Sequence, residues 1–369
     1  MSLGVGLIGS GYMGKCHAMA WTSVATVFGN IEPPRLVALA DATDELAELH
    51  GRNLGFASWT GTWQKLINDP AIDVISIAAP NHLHAEMAIA ALEAGKHVWC
   101  EKPMATLYDD AVRMECAASK SGKIAILGYN YIQNPIIRLA SRLISAGKIG
   151  HVNHIRMEMD EDYLANCRDP FYWKNERSSG YGALDDFAVH PLSLLLTLHG
   201  RVVEVAADMA KPYLSRPAGE SGMRDVENFD ISSALFRTEG GASGVLAVNR
   251  SAWGRKGRIA LQIYGSEGTI LFDQERFNEL EIFTTDDATD LQGFRKILAA
   301  PQHPPYDRFI PAPGHGLGFN ELKVIEAFEL IKAINGEPAY VIDFADGLQI
   351  EKTVHAMARS ALERTWVTV

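Results

Sequence analysis

Val5-Gly6-Leu7-Ile8-Gly9-Ser10-Gly11-Tyr12-Met13-Gly14 decides how the first part of the chain folds. A short apolar run leads into G-x-G-x-x-G, and helical spacing begins at Met13. Strand, glycine turn and helix in that order turn a weak pattern into a dinucleotide-binding signature. Gly9 permits the tight turn, Gly11 lets a pyrophosphate approach the backbone, and Gly14 lets the helix pack close on the strand. The anion is expected on the free N–H groups of the helix N-terminus, with Tyr12 and Met13 beside it.

The same alternation continues downstream. Leu36 to Ala40 reads as a second strand ending at Asp41, and Asp44 to Leu54 as a helix. Val74 to Ala78 is a third strand stopped by Pro80, His84 to Ala94 a helix, and His97 to Cys100 a fourth strand. Asp109 to Ser121 is a helix ended by Gly122, and Ile124 to Leu127 a fifth strand. Apolar strands alternating with helices predict a parallel sheet covered on both faces, an α/β Rossmann domain over residues 1–127. Asp41 stands where such a fold places the acid for the ribose 2′-OH, which favours NAD over NADP. It lies 27 positions past Gly14, a long spacing that an extended connection through Phe28 to Pro34 accounts for.

From residue 128 to 369 the pattern changes. Pro135 to Ala146 is still helical, and then strand signals follow one another at Val152–Met159, Val202–Met209, Asp230–Arg237, Ser243–Asn249, Ile259–Tyr264, Thr269–Phe272 and Leu280–Phe283. Glu239-Gly240-Gly241 and Gly265-Ser266-Glu267-Gly268 are hairpin signals. This half reads as an α+β domain with an open, largely antiparallel mixed sheet. Residues 284–319 show no period and read as a long loop, functional or mobile. Helices return at Glu321–Ile334 and Phe344–Leu362, the last expected to pack back on the first domain.

Composition narrows the classes. The chain has 369 residues, 47% hydrophobic and 21% charged, with a net charge of -11. That length predicts about two domains. The acidic balance argues against nucleic acid and anionic membrane as partners. No apolar stretch reaches the roughly 20 residues a bilayer needs, and the start of the chain lacks a signal-peptide pattern. Cys16, Cys100, Cys116 and Cys167 form no C-x-x-C pair, which argues against zinc and fits a reducing cytoplasm.

The most specific segment is Ala79-Pro80-Asn81-His82-Leu83-His84, continued by Gly95-Lys96-His97-Val98-Trp99-Cys100-Glu101-Lys102-Pro103. With the glycine turn it closely resembles the Gfo/Idh/MocA family of oxidoreductases. Gly11 to His17 is similar to the members that act on sugars and anhydrosugars, and Asp346 to Lys352 resembles the family's closing helix. The resemblance implies cofactor contacts from Pro80, Asn81, His84, Glu101 and Lys102. It also implies that Lys102 touches the reacting hydroxyl, that the Lys102–Pro103 bond is cis, and that the second sheet carries subunit contacts in a homodimer or homotetramer.

The family's other signature is D-x-x-x-H after a glycine turn, here Gly180-Tyr181-Gly182-Ala183-Leu184-Asp185-Asp186-Phe187-Ala188-Val189-His190. Asp186 and His190, four apart, share one face if helical. The resemblance assigns them the catalytic Asp and His, with Asp185 free to cap the helix. Pro191 opposes helix at His190 unless the helix is just starting. Ser193 stands where many relatives carry an Asp. A histidine has the pKa for proton transfer near neutrality, and a lysine can polarise the substrate oxygen. Tyr129, Tyr131 and Trp173 are candidate walls of a sugar pocket, with His315 as a closing residue.

The reading at this level is an NAD-dependent oxidoreductase moving a hydride between nicotinamide and a sugar, polyol, cyclitol or anhydrosugar. Its catalytic set is Lys102, Asp186 and His190, and no metal is expected. The rival readings are a glycosidase-type enzyme on the same scaffold and a non-catalytic NAD-binding regulator.

Overall fold

The computed structural model describes residues 2–369, apart from the Ser221 side chain. In chain order the elements begin β1 (Gly4–Ile8), α1 (Tyr12–Phe28), β2 (Arg35–Ala40), α2 (Asp44–Leu54), β3 (Ser58–Thr60), α3 (Gln64–Ile67) and β4 (Val74–Ile77). Then come α4 (His84–Glu93), β5 (His97–Cys100), α5 (Tyr108–Ser121), β6 (Ala125–Leu127), α6 (Pro135–Ser145), β7 (Val152–Glu161) and α7 (Val189–Leu198). The strands β8 (Val202–Ala210), β9 (Ser215–Pro217), β10 (Met223–Asp225), β11 (Ile231–Thr238), β12 (Ser243–Asn249) and β13 (Lys256–Gly265) follow. The chain closes with β14 (Gly268–Asp273), β15 (Glu279–Thr284), β16 (Arg295–Leu298), α8 (Phe319–Ile334), α9 (Phe344–Glu363) and β17 (Val367–Thr368).

These elements form two compact units. The first takes the chain up to Asn134 and adds Leu317–Leu348; the second holds Pro135–Gly316 and Gln349–Val369. The sequence places the break at 127/128. Packing carries the first unit further because α8 lies on α1, with Phe28 and Phe328 stacked at 3.8 Å. The segment that returns to the first unit is therefore α8 with the start of α9, and most of α9 belongs to the second unit.

In the first unit the strand order is β3-β2-β1-β4-β5-β6, all pairs parallel. That order reverses direction between β1 and β4, and ligands of open α/β sheets bind beyond the carboxyl ends at such a switch point. The strands β1 and β4 are buried along their whole length, which is why they read as unbroken apolar runs. Leu7, Ala18, Leu39, Ala47 and Phe56 form a core between sheet and helices.

The second unit is built on a nine-stranded sheet ordered β16-β15-β14-β13-β7-β12-β11-β8-β17. Only β7 and β12 pair in parallel. Buried residues alternate with exposed ones along β11 and with half-buried ones along β12, β14 and β15, so one face is covered more fully than the other. The long segment 284–319 corrects the expectation of a structureless loop. It contains β16, an edge strand paired with β15, and a buried Tyr306 whose hydroxyl donates to the His315 carbonyl at 2.5 Å.

Candidate active site

The glycine turn of the first unit shows why each glycine stands where it does. Gly9 has φ +91°, and a Cβ there would come within 2.5 Å of the Ala78 carbonyl oxygen. A Cβ on Gly14 would lie 2.1 Å from the Gly9 carbonyl oxygen, so α1 could not seat against β1. Gly11 differs: nothing lies within 4 Å of its Cβ position. It is the N-cap of α1 with no side-chain cap, which leaves the first N–H groups of the helix open. Tyr12 is 68% exposed beside this opening and Met13 half-buried. An anion such as a pyrophosphate fits here, because the space a side chain would fill is left to the backbone donors.

Asp41 follows β2 and reaches the same turn. One carboxylate oxygen accepts from the Ser10 backbone N–H at 2.9 Å and from the Ser10 hydroxyl; the other accepts from the Ala42 N–H at 2.6 Å. The acid is thus aligned by the glycine loop itself. Pro80 and Asn81 lie in the turn after β4, exposed and half-buried, and Lys102 follows β5, half-buried. All of these positions fall at the carboxyl edge of the sheet.

Other residues expected at the cofactor take different partners. Glu101 is buried, and its carboxylate accepts from Lys323 Nζ at 2.5 Å and from His17 Nε2 at 2.8 Å. His84 is fully buried. Its ring nitrogens sit 2.8 Å from the Pro103 carbonyl oxygen and 2.9 Å from that of Ala79. Burial lowers its pKa although both carbonyls pull upward. The side chains of Glu101 and His84 are thus engaged within the protein, with Lys323 and His17 and with the two loop carbonyls. The Lys102–Pro103 bond is cis, as the resemblance implied. Tyr129 is fully buried, whereas Tyr131 is half-buried and meets the Phe319 ring edge-on at 6.0 Å. Tyr12 also lies against Phe319, at 5.9 Å, a neighbour that no motif announced.

In the second unit the D-x-x-x-H signature is helical by an unusual route. Leu184–Ala188 form a turn of π-helix that runs directly into α7. The π-turn is wider than an α-turn and is common at functional sites. It keeps Asp186 and His190 on one continuous helical path. Pro191 is the third residue of α7, inside the first turn where its missing N–H costs little. His190 is buried, and Ser193 donates to its carbonyl at 2.7 Å. Asp185 faces inward and accepts from the Tyr181 N–H at 2.5 Å; burial pushes its carboxyl up to about 7.

Asp186 is only 14% exposed and is surrounded by donors. Lys174 Nζ lies 3.0 Å from each carboxylate oxygen, the Tyr163 hydroxyl donates to it, and Arg250 Nη1 stands at 3.7 Å. Burial and the nearby carboxylate hold the Tyr163 phenol well above its ordinary pKa, so it remains a donor. Arg250 is itself buried, bonded to Asp230 at 2.7 Å and to Asn228 at 3.1 Å. Trp173, 43% exposed, lies beside Lys174, which is 5.8 Å from its ring centre. Tyr163, Arg250 and Asp230 were missed by the sequence reading; they are brought in by β7, β11 and β12, with no local pattern to mark them. His315 is exposed. Among the described residues no group of acids, histidines and cysteines could hold a metal, and no helix is long and apolar enough to cross a membrane.

Comparison with known proteins decides the family. Residues 3–129 match the profile described as an oxidoreductase family with an NAD-binding Rossmann fold, and residues 137–271 match the GFO/IDH/MocA C-terminal domain. The chain belongs to the Gfo/Idh/MocA oxidoreductases. This family member is 36% identical to levoglucosan dehydrogenase of Pseudarthrobacter phenanthrenivorans, over 100% of this chain and 98% of that protein. A solved levoglucosan dehydrogenase in complex with NADH and levoglucosan superposes with a TM-score of 0.97, at 36% identity and full coverage of both chains. Myo-inositol 2-dehydrogenase of Thermotoga maritima is 26% identical over 78% of this chain and 79% of its own. Residues 3–129 of this oxidoreductase are thus an NAD-binding Rossmann domain, and residues 137–271 fall in the family's C-terminal domain.

Proposed function

We propose that this oxidoreductase is an NAD-dependent dehydrogenase of levoglucosan or a closely similar anhydrosugar, with Lys102, Asp186 and His190 as its catalytic residues. The observation that carries the reading is Asp186 itself. A carboxylate compensated by Lys174, Arg250 and the Tyr163 hydroxyl, beside a half-exposed Trp173, suits a ligand rich in hydroxyls. The full-length likeness to a levoglucosan dehydrogenase supports the same class.

Oxidising a secondary alcohol removes a hydride from carbon and a proton from oxygen. Bound NAD would supply the hydride acceptor, held by Gly9, Gly11, Tyr12, Met13, Gly14, Asp41, Pro80 and Asn81. The residues of the chain handle the proton. Lys102, as an ammonium, donates to the substrate oxygen and stabilises the negative charge that develops there. His190 accepts the proton as general base. Asp186 accepts hydrogen bonds from substrate hydroxyls and fixes which carbon presents its hydrogen. A carboxylate at Asp41 favours a free ribose 2′-OH, hence NAD over NADP.

We also propose a homodimer or homotetramer, on the family resemblance, and a cytoplasmic protein without nucleic-acid or membrane partners, on its scattered thiols and net charge of -11. The exposed Val203, Leu235 and Trp366 of the second unit suit a subunit contact, and light scattering of the purified protein reads the mass. The functional test is Lys102→Ala assayed with NAD and levoglucosan. We expect turnover to vanish while NADH titration remains close to wild type; undiminished turnover overturns the assignment.

A further inference from the structure

Beneath the loop that carries Lys102 the first unit holds a closed set of buried ionisable groups. Lys323, on α8, is fully buried. Its Nζ donates to Glu101 at 2.5 Å, to Glu326 at 2.9 Å and to the Gly128 carbonyl at 3.3 Å, and lies 5.3 Å from the Trp99 ring centre. His17, on α1, donates from Nε2 to Glu101 and stacks on Trp99 at 3.8 Å. Trp99 in turn donates to Glu326 at 3.2 Å. A Cβ at Gly128 would come within 2.5 Å of Glu101 Oε1 and 2.8 Å of Lys323 Nζ, so this position must lack a side chain for the pair to close.

An ion pair this deep is poor evidence for stability, because desolvating both charges offsets their attraction. Apolar residues of the same volume would fill the space as well. What the pair does is fix Glu101 to a helix 222 residues further along the chain. Glu101 is also tied by its N–H to the Ile77 carbonyl at 2.9 Å, and Pro103 by its carbonyl to His84 at 2.8 Å. Lys102 therefore stands between two anchored neighbours, and the direction of its stem depends on both.

We propose that Lys323, through its ion pair with Glu101, is a positioning residue for Lys102. The proposal rests on Lys102 being the reactive lysine. Lys323 touches no reacting atom; it sets the loop from below, and α8 thereby takes part in the chemistry of a strand far away in sequence. A displacement of about 1 Å in a reacting group can lower turnover about a hundredfold.

The test is Lys323→Met in the full-length protein, with three readouts. Acetic anhydride labelling followed by mass spectrometry gives the reactivity of Lys102 against the exposed Lys120 and Lys148. NADH titration gives cofactor affinity, and turnover is measured with NAD and levoglucosan. We expect altered Lys102 labelling and a loss of turnover approaching a hundredfold, with NADH affinity largely retained. A folded variant with wild-type Lys102 labelling overturns the proposal. Should Lys323→Met not fold, the triple variant E101Q/K323M/E326Q leaves neither carboxylate without its cation and carries the same labelling test: altered Lys102 reactivity supports positioning, wild-type reactivity overturns it. If the wild-type protein leaves levoglucosan unoxidised, the functional reading falls, and labelling still decides the role of Lys323.

Discussion

Lys174 places its ammonium 3.0 Å from both carboxylate oxygens of Asp186. The pair joins a residue that follows the second unit's first long strand to the residue that opens its helical signature. On the proposed reading, in which Asp186 binds substrate hydroxyls, Lys174 compensates and orients the carboxylate that does so. Hydrogen bonds to charged groups are worth about 1.5–3 kcal/mol. Lys174→Met should reduce kcat/KM for levoglucosan about ten- to a hundredfold, with Tm little changed because Lys174 is partly exposed. Unchanged kinetics would mean that Arg250 and Tyr163 suffice.

The glycine turn separates packing from binding at two positions. Gly14→Ala drives a Cβ against backbone and should destabilise the first unit by about 1–3 kcal/mol. Gly11→Ala meets no protein atom, and the Gly11 φ of -62° suits alanine, so thermal stability should hold. Its methyl group instead occupies the space left for the pyrophosphate. NADH affinity should fall by about tenfold or more, equivalent to about 1.4 kcal/mol. Paired melting curves and NADH titrations check both variants. A Gly11→Ala protein that binds NADH like wild type would place the cofactor elsewhere.

Asp41 has two tasks that one substitution can pull apart. It receives the Ser10 N–H and hydroxyl, and on the proposed reading it also carries the charge that meets the ribose. Asp41→Asn keeps an oxygen for the Ser10 N–H and removes the charge. The ratio of kcat/KM for NADP over NAD should then rise about tenfold, because a carboxylate no longer repels a 2′-phosphate. A ratio that stays put while Tm holds would show that Asp41 shapes the turn without selecting the cofactor.

The parts legible in the sequence are those whose physics is local. The glycine turn, the Glu101-Lys102-Pro103 loop and the Asp186/His190 spacing each fit within a dozen residues, and so do the strand runs of both sheets. Residues that act at long range were silent. Lys323 and Glu326 sit in a helix with apolar residues all round it, and nothing near them points to Glu101. Arg250 carries no signal in its own neighbourhood, and only the pairing of β11 with β12 sets it beside Asp230. The edge strand β16 escaped notice because Arg295, Lys296 and Leu298 are exposed, which leaves no alternation to detect. For Glu101 and His84, motif position says which residues gather at a loop; it does not say that their side chains are buried and paired within the protein.

Asp185 gives the protein a stability penalty at alkaline pH. It is buried, and burial outweighs the Tyr181 N–H and the more distant Arg250 to raise its carboxyl from the ordinary 3.8 to about 7. The folded state thus holds a proton that the unfolded chain releases. The stabilisation from that proton is fully present below about pH 4 and is lost as pH rises through about 7. Asp185→Asn keeps an oxygen for the Tyr181 N–H and cannot ionise. Its Tm relative to wild type should therefore improve from pH 5 to pH 8, with most of the gain between pH 5 and pH 7 and little beyond. Differential scanning fluorimetry across that range measures the difference directly. A Tm difference independent of pH would show that Asp185 is ionised throughout, and that the turn from Gly180 to Gly182 stabilises its charge more strongly than burial opposes it.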